Sequence, residues 1–495
     1  MTNPDRLSGL DSAFLHLERG GAHMHVASIM VFEGAAPSYD EFLRFLESRL
    51  GRVPRYRQRL AFVPLEQGRP VWVDDPYFNI RYHLRHSALP SPGDDGQLAA
   101  LAGRLFAERL DRDKPLWEMN LVEGLSAGTD GTARFAVIVK THHALVDGIS
   151  GVDITSVLFS ASRDEVEETT PVAEWIPRPL PTDFDLVGGA LVERFSNPAE
   201  IGRAARALVR SPRRAIGALG NRIEQTGALA WAGVRSAPPT AINQAIGPHR
   251  RYGWMNSSLS TFKHIKNGLD GTINDAVLTT VALGLGRWLR RRGTDTDGLT
   301  LTAMVPVSVR AESESGQLGN RVSALWAPLP VFEQDPVAAF NYVSAKMGDL
   351  KHSDQAIAAD TLTELAGFAP PTIASQAARL QNRQRLFNLV VTNVPGPQIP
   401  LYLLGRKMTA LYPVVPLTNN TALGIAAMSY SGRLSFGLLA DYDALPDLGD
   451  VVSDFKTALF DLARAAESDR HRWDSAVHET LFTAHTPDGE ALSVV

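Results

Sequence analysis

Apolar positions along the chain alternate between short β-favouring runs and stretches of helical period, and this alternation sets out the elements. In the first half, Leu10 to Glu18 reads as a short helix and Met24 to Glu33 as a strand. Tyr39 to Leu50 is an amphipathic helix ended by Gly51. Val53 to Pro92 is extended, aromatic and basic, with several short strand candidates. A helix over Leu98 to Leu110 and a strand over Met119 to Val122 follow. Phe135 to Val139 is short enough to be one buried strand, and beyond it Ile149, Val152, Val157 and Leu158 recur at roughly helical spacing. From about Ser160 the pattern loosens into acidic residues and Pro171, Pro177, Pro179 and Pro181, the signature of a linker. A basic helical tract, roughly Leu186 to Gln225, comes next.

The second half opens with a helix over Ala276 to Leu289, then becomes β-rich. Strands are predicted over Leu299 to Val309, Arg321 to Leu329 and Phe387 to Thr392, with a helix over Val337 to His352. Leu423 to Tyr430 and Leu434 to Ala440 flank Ser431-Gly432-Arg433, a hairpin signal, and a last helix runs from Leu448 to Glu467. The predicted fold is α/β in two halves: residues 1–160, a linker at 161–245, and residues 246–495.

Composition narrows the chemistry. At 495 residues two domains are expected, and 44% hydrophobic with 21% charged residues describes an ordinary globular protein. A net charge of −5 argues against nucleic acid as a partner. There is no cysteine, so a thiol nucleophile, a disulfide framework and Cys-based metal sites are excluded. No run of about 18 apolar residues spans a bilayer, and the polar N-terminus lacks a signal peptide, so a cytoplasmic location is expected.

The candidate chemistry sits where the strand at 135–139 gives way to helical spacing, at His142-His143-Ala144-Leu145-Val146-Asp147-Gly148. A strand end can hold an imidazole rigidly at a cleft, and histidine is the side chain suited to take a proton near neutral pH. His143 stands four residues before Asp147, whose carboxylate can hold the local backbone and keep the ring in place. A metal site is the competing reading, but adjacent histidines point different ways and no third-ligand spacing follows. His23 and His25 invite the same idea and read better as strand residues. Gly124-Leu125-Ser126-Ala127-Gly128 has the G-x-S-x-G form of serine hydrolases, yet a hairpin loop rather than an elbow is expected there. Arg290, Arg291 and Arg292 read as the basic end of a helix capped by Gly293 rather than as a phosphate site.

The tandem-histidine motif resembles that of acyltransferases related to chloramphenicol acetyltransferase and to peptide-synthetase condensation domains. Further motifs narrow the resemblance: Leu10-Asp11-Ser12-Ala13-Phe14, Met24-His25-Val26, Pro115-Leu116-Trp117-Glu118, Asn274-Asp275-Ala276-Val277-Leu278, Val305 to Arg310, Leu318-Gly319-Asn320 and Asn393-Val394-Pro395-Gly396-Pro397. In this order and over nearly the whole chain, they are similar to bacterial wax ester synthases/diacylglycerol O-acyltransferases. The resemblance implies two chloramphenicol-acetyltransferase-like domains with the active site in a tunnel between them. It also implies transfer of a long-chain acyl group from coenzyme A, a substrate, to diacylglycerol or a fatty alcohol, with no cofactor and no metal.

On this resemblance His143 is the general base, His142 supports it, Asp147 is structural and Gly148 frees the turn. Asn274, Asp275, Arg310, Pro115, Leu116 and Trp117 are expected to bind substrate or support the site, and Arg310 to pair with Asp147 across the two halves. Two other readings compete: a condensation-type enzyme using carrier-bound acyl groups, and an inactive lipid-inclusion binding protein. The tract with Arg203, Arg206, Arg210, Arg213 and Arg214 opposite an apolar side is a candidate for attachment to a membrane or lipid-inclusion surface, although Pro212 interrupts it.

Overall fold

In the computed structural model the described residues are 5–18, 20–66, 68–146, 158–164, 175–196, 237–308, 322–351 and 386–467. Asp147, Gly148, Arg310 and the arginine-bearing tract at 201–219 lie outside them. In chain order the elements are α1 (Gly9–Leu17), β1 (His25–Glu33), α2 (Tyr39–Leu50), β2 (Gln58–Ala61), β3 (Val71–Asp74), β4 (Leu84–Ala88), α3 (Asp95–Ala107), β5 (Trp117–Leu125), β6 (Arg134–His142), α4 (His143–Val146) and α5 (Asp183–Ser196). The second half adds β7 (Arg250–Ser258), α6 (Leu259–Gly268), α7 (Ile273–Arg291), β8 (Thr300–Ser308), β9 (Val322–Pro330), α8 (Pro336–Lys351), β10 (Leu389–Pro395), β11 (Tyr402–Leu403), β12 (Arg406–Val414), β13 (Leu423–Tyr430), β14 (Arg433–Asp441) and α9 (Leu448–Ala465).

Local chemistry explains most of these boundaries. Ser38 and Glu41 form a capping box that starts α2, which buries Phe42, Leu43, Phe45, Leu46 and Leu50. Helix α3 starts at Asp95, ahead of the expected Leu98, because Asp94 and Gln97 form a second capping box upstream of the apolar repeat. At the β13–β14 hairpin Ser431 and Gly432 both have positive φ, the backbone of a two-residue turn matched to strand twist. Strand β10 runs on past the expected Thr392 through Asn393, Val394 and Pro395, paired with β13. Its other neighbour, β8, pairs with Leu389 and Val390, so among the described residues Pro395 lies beyond the β8 pairing, where no N–H is needed. The G-x-S-x-G segment ends in the β5–β6 loop, where the Gly128 N–H reaches the Thr132 carbonyl at 2.8 Å, so no nucleophile elbow exists there.

Among the described residues two six-stranded sheets form, ordered β11-β12-β1-β6-β5-β4 and β7-β14-β13-β10-β8-β9. Strand β1 shows the period-two logic: Met30 and Phe32 join the core under α2, while Ile29 and Val31 join the core with α3. Strand β12 comes from the C-terminal half yet pairs antiparallel with β1, with Leu411 opposite Met30. The sheets meet where the Tyr252 hydroxyl donates to the Pro413 carbonyl at 2.9 Å and Trp254 stacks on Tyr412. Gly437 is required there, since a Cβ would fall 1.8 Å from the Pro413 carbonyl oxygen.

The described parts of the 161–245 stretch are folded against both halves. Leu186 and Ala190 of α5 pack with Val63, Val71 and Val73, and Ile242 belongs to the second core. Within the described residues no helix is long and apolar enough to cross a membrane.

Candidate active site

Strand β6 carries the histidine motif to its place. His142 is its last residue and lies opposite His25, the first residue of β1. The His142 N–H donates to the Leu116 carbonyl at 2.9 Å, and the His143 N–H donates to the Met24 carbonyl at 2.8 Å. The Phe14 ring stacks on the His143 ring with centroids 4.1 Å apart. Residues from three other sequence motifs therefore converge on two adjacent histidines. Their side chains diverge in environment: His142 is 1% exposed, whereas His143 is only half-buried. The Ala144 N–H donates to His142 Nδ1 at 3.1 Å, which places the proton of the neutral ring on Nε2. Burial pushes the pKa of His142 down to about 3 against the pull of the nearby Glu18 carboxylate. His142 is thus a neutral, enclosed ring, and His143 is the more exposed of the two.

Behind the pair lies a charged cluster that the sequence reading missed. The Glu18 side chain is 1% exposed, and Arg112 grips it through Nε at 2.9 Å and a terminal nitrogen at 2.5 Å, with Arg109 at 3.3 Å. His25 Nε2 lies 3.4 Å from Glu18 Oε1, and His142 Nε2 lies 3.9 Å from Oε2. Burial alone would raise the pKa of Glu18, but His25, His142 and Arg112 together hold it well below the usual carboxylate range. Burial also lowers the pKa of His25, and that of His23 to about 4. One signal pointed to Glu18: it is the residue that ends α1, and a carboxylate at a helix C-terminus opposes the macrodipole. His23 Nε2 meets the Ala107 carbonyl at 3.0 Å. Among the described residues no group of three or more His, Cys, Asp or Glu is arranged to hold a metal.

The remaining expected site residues fall into two groups. Pro115, Leu116 and Trp117 are buried: Leu116 anchors His142, and the Trp117 indole N–H donates to the Tyr56 carbonyl at 2.8 Å while its ring stacks on His83. They hold the strand end in place. Asn274 and Asp275 belong to the second half. The Asp275 carboxylate accepts from the Thr272 N–H at 2.9 Å and caps α7, a supporting role. The Asn393 amide reaches the Asn274 side-chain oxygen at 3.5 Å, so two of the separated motifs meet beside β10. The arginines ending α7 turn to α9 and its N-cap: Arg291 pairs with Asp450 and Asp454, and Arg292 with Asp447.

Comparison with known proteins agrees with this geometry. The family described as wax ester synthase/diacylglycerol acyltransferase catalytic domain matches residues 7–277, and its C-terminal domain matches residues 318–463. The chain is 33% identical over 461 residues to the protein named "probable diacylglycerol O-acyltransferase tgs1" of Mycobacterium tuberculosis, covering 92% of this chain and 95% of that one. The wax ester synthase/diacylglycerol acyltransferase of Marinobacter aquaeolei VT8 superposes with a TM-score of 0.63 at 25% identity, over 93% of this chain and 99% of that one. The starter condensation domain of rhizomide synthetase shares the fold at a TM-score of 0.51 and 15% identity, over 94% of this chain and 96% of that one. By its motifs, its two-sheet architecture and these matches, the chain belongs to the wax ester synthase/diacylglycerol acyltransferase family, and is an acyltransferase of neutral-lipid synthesis.

Proposed function

We propose that the protein moves a long-chain acyl group from coenzyme A to the hydroxyl of diacylglycerol or a fatty alcohol, with His143 as general base. The observation that carries this reading is the half-buried His143 ring, stacked on Phe14 and fixed at a strand end beside a buried neutral partner. His143 takes the proton of the acceptor hydroxyl as the oxygen attacks the thioester carbonyl. The carbon–sulfur bond breaks, and the proton passes on to the coenzyme A sulfur. Such assistance contributes about 10²–10⁴ in rate. Asp147 and Arg310 complete the site in this reading, as a structural ion pair between the half that ends near residue 160 and the half that begins near 246. Asn274 is the candidate donor to the developing oxyanion.

The test is incubation of the pure protein and of His143→Ala with labelled palmitoyl-CoA and a panel of diacylglycerols and alcohols, followed by lipid chromatography. Ester formed by the parent and lost in the variant supports the reading. Turnover confined to a carrier-bound donor would instead make the protein a condensation enzyme.

The protein would work from the cytoplasm at the surface of the inner membrane or of lipid inclusions, where its acceptors reside. Exposed Leu65, Phe184 and Val192 support this, being apolar residues on the segments that form the small cluster of α5 with the β2–β3 region. Sedimentation with anionic liposomes that is unchanged when Leu65 and Phe184 are both replaced by Ser would remove the idea.

A further inference from the structure

We propose that Glu18, clamped by Arg112, is the positioning residue of this active site. Through His142 it fixes the turn on which His143 is mounted. The inference rests on the reading of His143 as the base.

Three observations carry it. First, the Glu18 side chain is almost wholly buried at the end of α1, where the helix dipole disfavours a carboxylate. Burying a charge costs several kcal/mol before any partner offsets it. Arg109 and Arg112 are 49% and 30% exposed, so a pairing serving stability alone could have formed at the surface. Second, both ring nitrogens of His142 are accounted for by this arrangement. Nδ1 accepts the Ala144 N–H, so Nε2 carries the proton; Nε2 has no hydrogen-bond partner and faces Glu18 Oε2 at 3.9 Å. A fixed negative charge on that side favours the tautomer that leaves Nδ1 free to accept. Third, Ala144 lies in the first turn of α4, whose leading N–H groups have no partner within the helix. The His142 ring therefore caps the turn that starts at His143. Were the proton on Nδ1 instead, the Ala144 N–H would lose its acceptor and the mounting of His143 would loosen. The chain of influence runs from Arg112 to Glu18, to His142 Nε2, to Ala144, to His143. Carboxylates that orient a working imidazole from behind act in this way elsewhere.

The experiment uses the full chain with palmitoyl-CoA and micellar diacylglycerol, comparing the parent with Glu18→Gln and Glu18→Asp. Glu18→Gln is expected to lower kcat about 10–100-fold with the KM for acyl-CoA unchanged, and Glu18→Asp to recover most of the loss. Nitrogen-15 spectra of the His142 ring should show one Nε2-protonated tautomer in the parent and a mixture in Glu18→Gln. A folded Glu18→Gln protein with parental kcat overturns the proposal. So does a loss that only follows the folded fraction, equal in Gln and Asp. Should Glu18→Gln not fold, Glu18→Asp alone decides through the ring spectra and kcat: a shortened carboxylate withdrawn from His142 Nε2 is expected to give a partial tautomer mixture and an intermediate kcat, and parental values for both overturn the proposal. If the parent shows no turnover, the functional reading has failed, and the ring spectra alone decide: a tautomer unmoved by Glu18→Gln overturns the positioning role.

Discussion

The two sheets have the same number of strands but bury different chemistry. The second half encloses a continuous apolar core in which Trp288, Phe340, Phe436 and Phe455 are fully buried. Its ion pairs at the α7–α9 contact, Arg287–Asp461, Arg291–Asp450 and Arg292–Asp447, stay partly exposed, and its Arg250–Asp441 pair between β7 and β14 is buried. The first half places Glu18, His25, His142, Lys140 and Glu118 inside, each with a side chain no more than 6% exposed. Lys140 meets the Leu105 and Glu108 carbonyls at 3.0 Å and Glu118 at 3.1 Å, and burial lowers its pKa nonetheless. Buried ionisable groups are a poor way to gain stability, and perturbed ones gather where chemistry is done. The half that carries the histidine pair bears most of that burden, while the other half buries mainly apolar side chains around the enclosed Arg250–Asp441 pair.

The sharpest way to break this contrast is to cut each half once. His143→Ala should remove about 10²–10⁴ of kcat while the melting temperature stays near that of the parent. Phe455→Ala removes a ring packed so closely that a Cβ at Gly284 would lie 2.3 Å from it, and should cost about 3–5 kcal/mol in urea unfolding. Its folded fraction should keep parental kcat. If the two variants lose stability equally, the division of labour fails.

A smaller effect should appear in acid. Burial holds His142 at about 3 and His23 at about 4, below the ordinary 6.5, so the unfolded chain binds these protons more readily. Their contribution is complete above pH 6.5 and is lost as pH falls towards those values, by about 1.4 kcal/mol per pH unit for each ring. Glu18, with its pKa lowered, keeps its charge and its contribution through the upper part of that window. Urea midpoints measured from pH 7.5 down to 5 should therefore fall, and a flat series would contradict the enclosure of neutral histidines. The smallest effect belongs to the second half: Arg291→Ala breaks half-exposed pairs with Asp450 and Asp454, and should change stability by no more than about 1 kcal/mol.

Much of this was readable in advance because it is local. The helix over Tyr39–Leu50 and the hairpin around Ser431 and Gly432 each follow from residues within one short window. The same holds for the strand that delivers His142 and His143, whose run of β-favouring residues ends beside the motif itself. Periodicity, caps and turn residues act over one element, so a single chain displays them. The motifs also pointed to the right family, and the contacts their residues make became visible only in the packed chain: the Leu116 carbonyl accepts from His142, and Asp275 caps a helix.

Other features depend on pairings that no local window contains. Strand β12 completes the first sheet from the far side of the chain, joining Leu411 to Met30, because an otherwise open edge of β1 is covered there. Glu18 meets Arg112 across 94 positions, and its carboxylate acquires meaning only once α1 and β6 bring it behind His142. The sequence by itself determined the elements, the family and the pair of histidines. Tertiary structure decided which histidine is enclosed and neutral and which is half-buried, because burial and charge neighbours are properties of the packed chain and not of the motif.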